Sequence, residues 1–170
     1  MRAGIVAALA VGLLLGGCSK DEPARVQLYD RSPVPAVPDR TEPVAEPLAD
    51  GQYWSPTLGV DGDQLGFALA QAFFGPACAA ELGAASCADE PGVVDDPTVE
   101  VSVAAADLAA VSVVTADRTN YAVTGTELAS LAAGGAPAAA APDQFAYVPY
   151  PFLVTVRGGV VVEARQIWVP

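Results

Sequence analysis

The stretch PFLVTVRGGVVVEARQIWV, residues 151–169, decides the fold. Two apolar, β-branched runs flank Gly158 and Gly159, the pattern of a β-hairpin closed by a two-residue turn. Phe152, Val154 and Val156 on one arm, with Val160, Val162, Ala164 and Ile167 on the other, predict one face of a sheet. Upstream, NYAVTGTELASLAAGG predicts a short strand leading into a helix. Thr126 is its expected N-cap, Leu128 and Leu131 its buried face, and Gly134 or Gly135 its stop. The runs TVEVSVAA and LAAVSVVTA read as further strands, with Val99, Val101 and Val103 alternating. Between helix and hairpin, APAAAAPDQ has the composition of an exposed loop.

Near residue 51 the chain reads as two strands around a turn at Asp61 and Gly62, with Pro56 making the first an edge strand or an interrupted one. In AQAFFGPACAAELGA, Ala70, Phe73, Phe74 and Ala77 fall at helical spacing, and Pro76 can open a new turn. ADEPGVVDDPT reads as a turn-rich connection. The expected fold class is therefore α+β: a small, mainly antiparallel sheet built from hairpins, with one or two short helices.

The other end of the chain carries an address. Residues 4–17 are uncharged and follow Arg2. As a helix they reach roughly 21 Å, short of a ~30 Å hydrocarbon core, which suits a signal peptide better than a membrane span. Leu15, Gly16, Gly17 and Cys18 resemble the lipobox of bacterial lipoproteins. That resemblance implies a diacylglyceryl group on the Cys18 thiol and cleavage between Gly17 and Cys18. An ordinary secretory peptide with an incidental cysteine fits less well with the abrupt switch to Ser19, Lys20, Asp21 and Glu22. The expected organisation is a lipoprotein signal peptide over residues 1–17, a lipidated Cys18 with a proline-rich disordered tether to residue 50, and one acidic domain over 51–170. A fully extended tether of this length would reach roughly 100 Å.

Composition narrows the chemistry. The formal net charge is −12, and from residue 51 onward only Arg118, Arg157 and Arg165 are basic. An acidic surface repels phosphate backbones and anionic headgroups, so nucleic acid is not an expected partner, and membrane attachment must come from the lipid. The chain contains no histidine, which removes the commonest general base and metal ligand together. No cofactor or metal is expected. Cys78 and Cys87 form an even pair in an exported chain and predict a disulfide. Asp61 and Asp63 flank a glycine but lack the continuing oxygen ligands of a calcium loop, so a hairpin turn is the better reading. Asp95 and Asp96 are adjacent, point apart on an extended chain, and read as a solvated turn.

Residues 50–170 resemble small exported proteins of actinobacteria that have no established activity. The likeness rests on Asp50, Gly51, Gln52, Tyr53 and Trp54, on DQLGFALAQAFFGPAC, and on the closing PYPFLVTVRGGVVVEARQIWVP. It implies export and fold, and no reaction. Tyr53, Tyr147 and Tyr150 form a candidate contact surface, because tyrosine suits sites that are apolar on one side and wet on the other. The expectation is a lipid-anchored, extracytoplasmic binding module for an envelope protein, in the cell membrane or in an outer membrane if the host has one. A small-molecule or cation-binding lipoprotein stands second, and a histidine-free carboxylate hydrolase third.

Overall fold

The computed structural model describes residues 27–87 and 91–169. Cys18 and the expected signal peptide, residues 1–17 with Gly17 at its cleavage site, lie outside the described residues. Eight strands build one sheet: β1 (Gly51–Ser55), β2 (Leu58–Asp61), β3 (Gln64–Phe73), β4 (Gly92–Ala104), β5 (Ala110–Val114), β6 (Asn120–Val123), β7 (Phe152–Arg157) and β8 (Val160–Gln166). Two helices complete the fold, α1 (Gly75–Leu82) after β3 and α2 (Gly125–Ala132) after β6. β4 takes one edge of β3, while β2 and β1 follow one another along the other edge, broken at Pro56 as proline's missing N–H requires. From β1 the order continues β7, β8, β5, β6. Every pairing is antiparallel except β5 with β8. This is the expected α+β class with a largely antiparallel sheet.

The central strands are buried on both faces, which is why PFLVTV is a nearly unbroken apolar run. Tyr53, Phe152, Val154 and Val156 join the main core beneath α2, with Leu65, Phe67, Val123 and Leu128. Trp54, Ala72 and Leu153 alternate to the other face and pack with Ile167. In the β7–β8 hairpin, Arg157 pairs with Val160 across Gly158 and Gly159, whose φ angles of 57° and 76° make the tight turn possible. A bulge then shifts the register: Thr155 faces Glu163 but Val156 faces Val161. The extra residue reverses the alternation. Val161, Ala164 and Gln166 are buried, while Val160 is exposed, so Val160 and Val162 do not supply the inner face expected of them.

Three other local expectations are corrected. Ala70 to Phe73 continue β3 and are not helical; the helix waits for Gly75, with Pro76 in its first turn. Asp95 and Asp96 lie within the backbone of β4, not in a turn, beside a register irregularity between Leu69 and Gln71. The N-cap of α2 is Thr124 rather than Thr126: its side-chain oxygen accepts from the Glu127 N–H at 3.1 Å. Thr124 and Glu127 have the spacing of a capping box, a stronger signal than the one Thr126 offers. Gly125 fits tightly, since a β-carbon there would lie 2.2 Å from the Ala105 carbonyl oxygen. Cys78 on α1 is bonded to Cys87, as expected from the pair.

The largest correction concerns residues 27–50, the described part of the expected tether. They form a strap on the domain. Tyr29 N–H donates to the Ala122 carbonyl (2.7 Å), Ala122 N–H to Asp30 (2.8 Å), and Ser32 N–H to Asn120 (2.9 Å), so the strap runs antiparallel along the outer edge of β6. Further on, Thr41 is buried and brackets Ala72: its N–H donates to the Ala72 carbonyl and its hydroxyl accepts from the Ala72 N–H. Tyr29 and Val44 enter the main core, and Leu28 and Leu48 pack against it. Prolines prevent a continuous ladder here, but the residues between them keep their donors and carry enough apolar surface to dock.

Candidate functional site

The three candidate tyrosines do not share a surface. Tyr53 has no exposed area, because β1 is a central strand whose alternation turns this ring into the core. Its hydroxyl donates to the Ala49 carbonyl at 2.9 Å, and burial raises its pKa. Tyr147 and Tyr150 are half-buried and line a shallow cavity of about 180 Å³ with Pro56, Leu58, Pro149 and Phe152. Loss of hydration pushes the Tyr147 hydroxyl up to about 12. The loop is pinned by Gln166, which is fully buried. Its Nε2 donates to the Val148 carbonyl (2.9 Å) and the Tyr150 carbonyl (3.1 Å), and its Oε1 accepts from the Val114 N–H (3.0 Å). Those contacts make the aromatic loop a fixed part of the body.

Asp61 and Asp63 are exposed on the β2–β3 turn, where Gly62 takes a φ of 59°. Among the described residues no group of three histidine, cysteine or carboxylate side chains converges as a metal site would require.

A second surface was hidden in the supposed tether. Val34, Pro35 and Val37 of the strap form one wall of a groove of about 260 Å³, with Val114, Ile167 and Trp168 opposite. Pro35 is buried, whereas Val34 is 72% and Val37 43% exposed. A proline-rich extended chain turns once in three residues, so positions 34 and 37 share a side. Beneath the strap, Ser32 Oγ lies 2.8 Å from Ser112 Oγ, which accepts from Asn120 Nδ2 at 3.1 Å. This buried polar chain fixes the strap next to β5 and β6, and with it the groove's wall.

Arg118 closes the groove. Thr115 N–H donates to the Thr119 carbonyl (3.0 Å) and Arg118 N–H to the Thr115 carbonyl (2.9 Å), a tight turn in which Arg118 adopts a left-handed φ of 64°. The turn presents the Arg118 guanidinium over the Trp168 ring, with Cζ 3.7 Å from its centroid. The neighbouring Asp117 carboxylate is engaged elsewhere, accepting from the hydroxyls of Thr115 and Thr119. The Thr115 hydroxyl first, then the Thr119 contacts, hold its pKa below the ordinary carboxylate value. Among the described residues the ion pair present is Arg165 with Glu163, so Arg118 has no carboxylate partner there.

Two features of the sequence fall on this groove, though neither reveals it without the fold. Arg118 is the sole basic residue between Arg40 and Arg157, and Val34 and Val37 interrupt the prolines at a three-residue interval. No protein family, curated protein or solved structure matches the chain. The geometry of the groove is therefore the ground for any functional reading.

Proposed function

We propose that the chain is a lipoprotein of the cell envelope, held by a diacylglyceryl group on Cys18, and that it acts in the extracytoplasmic space as a non-catalytic binding module. The observation that carries the binding role is the groove, where exposed Val34 and Val37 stand beside Trp168 under the Arg118 guanidinium. Exposed apolar groups around an indole and an arginine are the composition of protein contact sites. The address is supported by the lipobox-like residues 15–18, and a disulfide between Cys78 and Cys87 is weakly consistent with an oxidising compartment.

Docking of the strap changes the reach of such an anchor. About nine peptide units separate Cys18 from Gln27, and they span at most ~32 Å. The body then stays close to the bilayer. The strap enters at the Val123 end of β6 and runs toward Asn120, where the groove begins. The groove thus begins where the strap leaves β6, beyond its first contact with the domain.

Fatty-acid labelling and site-specific photo-crosslinking test the two parts separately. Labelling is expected in the native chain and lost in Cys18→Ser; an unlabelled native chain overturns the anchor. A photoreactive residue at position 37 is expected to give a discrete adduct, and one at Val160, exposed at the far hairpin turn, is not. Equal adducts from both positions, or none from position 37, overturn the groove as the contact site.

A further inference from the structure

We infer that the groove takes an extended peptide segment of a partner protein that carries a carboxylate within one or two residues of a branched apolar side chain. This rests on the groove being the contact site. Three large hydrophobic residues are exposed among the described residues, Val34, Val37 and Val160, and two of them stand on this one groove. Val114, Ile167 and Trp168 make the wall facing the valines apolar, and the polar lining residues Asn120 and Gln166 are already hydrogen-bonded within the domain, so the part of the partner that enters must be apolar too.

Charge complementarity supplies the second feature. The Arg118 guanidinium sits over Trp168, its Cζ 3.7 Å from the ring centroid, and its N–H groups have the fork geometry that grips a carboxylate with two parallel hydrogen bonds. Among the described residues those groups meet no ion-pair partner, since Asp117 is turned to the threonine hydroxyls. The contact is local: at physiological salt the field of this acidic chain is screened beyond about 8 Å, so its net charge does not forbid a carboxylate seated on Arg118.

The exposed rim of the groove favours a peptide over an enclosed small molecule. Pockets that enclose drug-sized ligands run from about 300 to about 1,000 Å³. This groove holds about 260 Å³, and one of its walls ends in a valine that is 72% exposed. An occupant held between the two walls stays open along the exposed valine, as side chains projecting from a larger partner would be.

Trp168 reports on the site, because it is half-exposed whereas Trp54 is 2% exposed and shielded from quenchers. The test uses the full chain in detergent, with acrylamide quenching of tryptophan fluorescence during titration by acetyl-Val-Asp-Val-amide. Its Asn twin and sodium isovalerate are the comparison probes. The Asp peptide should protect Trp168 in a saturable way at millimolar concentration or below, with the Asn twin at least about tenfold weaker. Isovalerate should not saturate. Arg118→Gln should bring the two peptides level, and Arg118→Lys should recover only part of the difference, because an ammonium cannot make the paired contact. Trp168→Phe should abolish the signal. Equal affinity of the two peptides, absence of protection up to ~10 mM, or saturation by isovalerate alone each overturns the inference. A discrete adduct from position 37 together with failed peptide discrimination would overturn the occupant while leaving the contact site standing.

Discussion

Strand β7 and the strap at residues 29–32 both lie along a neighbouring strand, but in different ways. β7 pairs with β1 on one side and β8 on the other, and its residues Phe152, Leu153 and Val154 are buried on alternating faces. The strap meets β6 by three main-chain hydrogen bonds, turns Tyr29 inward against Tyr121 and Phe145, and leaves Val34 and Val37 in solvent. The first region is committed to the core on both sides. The second is held at intervals, by a buried tyrosine, a serine pair and a threonine, and keeps apolar surface uncovered between those points. A contact surface can be built only from the second kind.

Breaking each region should cost unequal amounts. Phe152→Ala removes a ring that is 1% exposed and packed edge-on against Phe67, and should lower unfolding free energy by about 3–5 kcal/mol in urea titrations. Thr41→Val leaves the buried Ala72 N–H without its acceptor and should cost about 1–3 kcal/mol. A strap that behaved as a free tether would show no change in that variant, which would overturn the docking described above.

Alkaline titration sharpens the comparison, since Tyr29 in the strap and Tyr147 in the loop leading into β7 both resist ionisation. Tyr147 retains its proton to about 12, against an ordinary value of 10.0. Below pH 10 both folded and unfolded chains hold that proton and its contribution is fully present. As pH rises from 10 toward 12 the unfolded chain releases it first, so stability falls. Tyr29 is raised by burial first and then by its hydrogen bond to Glu127, and adds a loss of the same sign. Urea midpoints at about pH 9 and about pH 11 should therefore differ, by less in Tyr147→Phe and in Tyr29→Phe than in the native chain. The smallest stability effect is expected at the groove. Val34→Thr should leave unfolding free energy unchanged within about 0.5 kcal/mol, while weakening peptide protection of Trp168.

The sequence disclosed what periodicity and turn chemistry encode. Gly158 and Gly159 marked the terminal hairpin, Leu128 and Leu131 the buried side of α2, and Val99, Val101 and Val103 the outer strand β4. It concealed what depends on a count or on distant chain. One extra residue in β8 turned Val160 outward and Val161 inward, and no local signal gives the position of a bulge. Tyr53 looked like a surface residue because its burial depends on β7, about a hundred residues away. Proline content made residues 27–50 resemble a tether, although Tyr29, Thr41 and Val44 carried the apolar and hydrogen-bonding groups that dock it. The groove was illegible for the same reason: its two walls, at residues 34–37 and 167–168, meet only once the strap is in place.

The strap's contact with β6 has a consequence for self-association. A strand at the margin of a sheet offers unpaired N–H and C=O groups that another chain can use as a template. Residues 29–32 occupy those groups on β6, whose Asn120, Tyr121 and Val123 are buried once they are in place. Proteolytic trimming past Ser32 would uncover those groups on β6. Residues 29–32 thus also guard the margin of β6 against pairing with another chain.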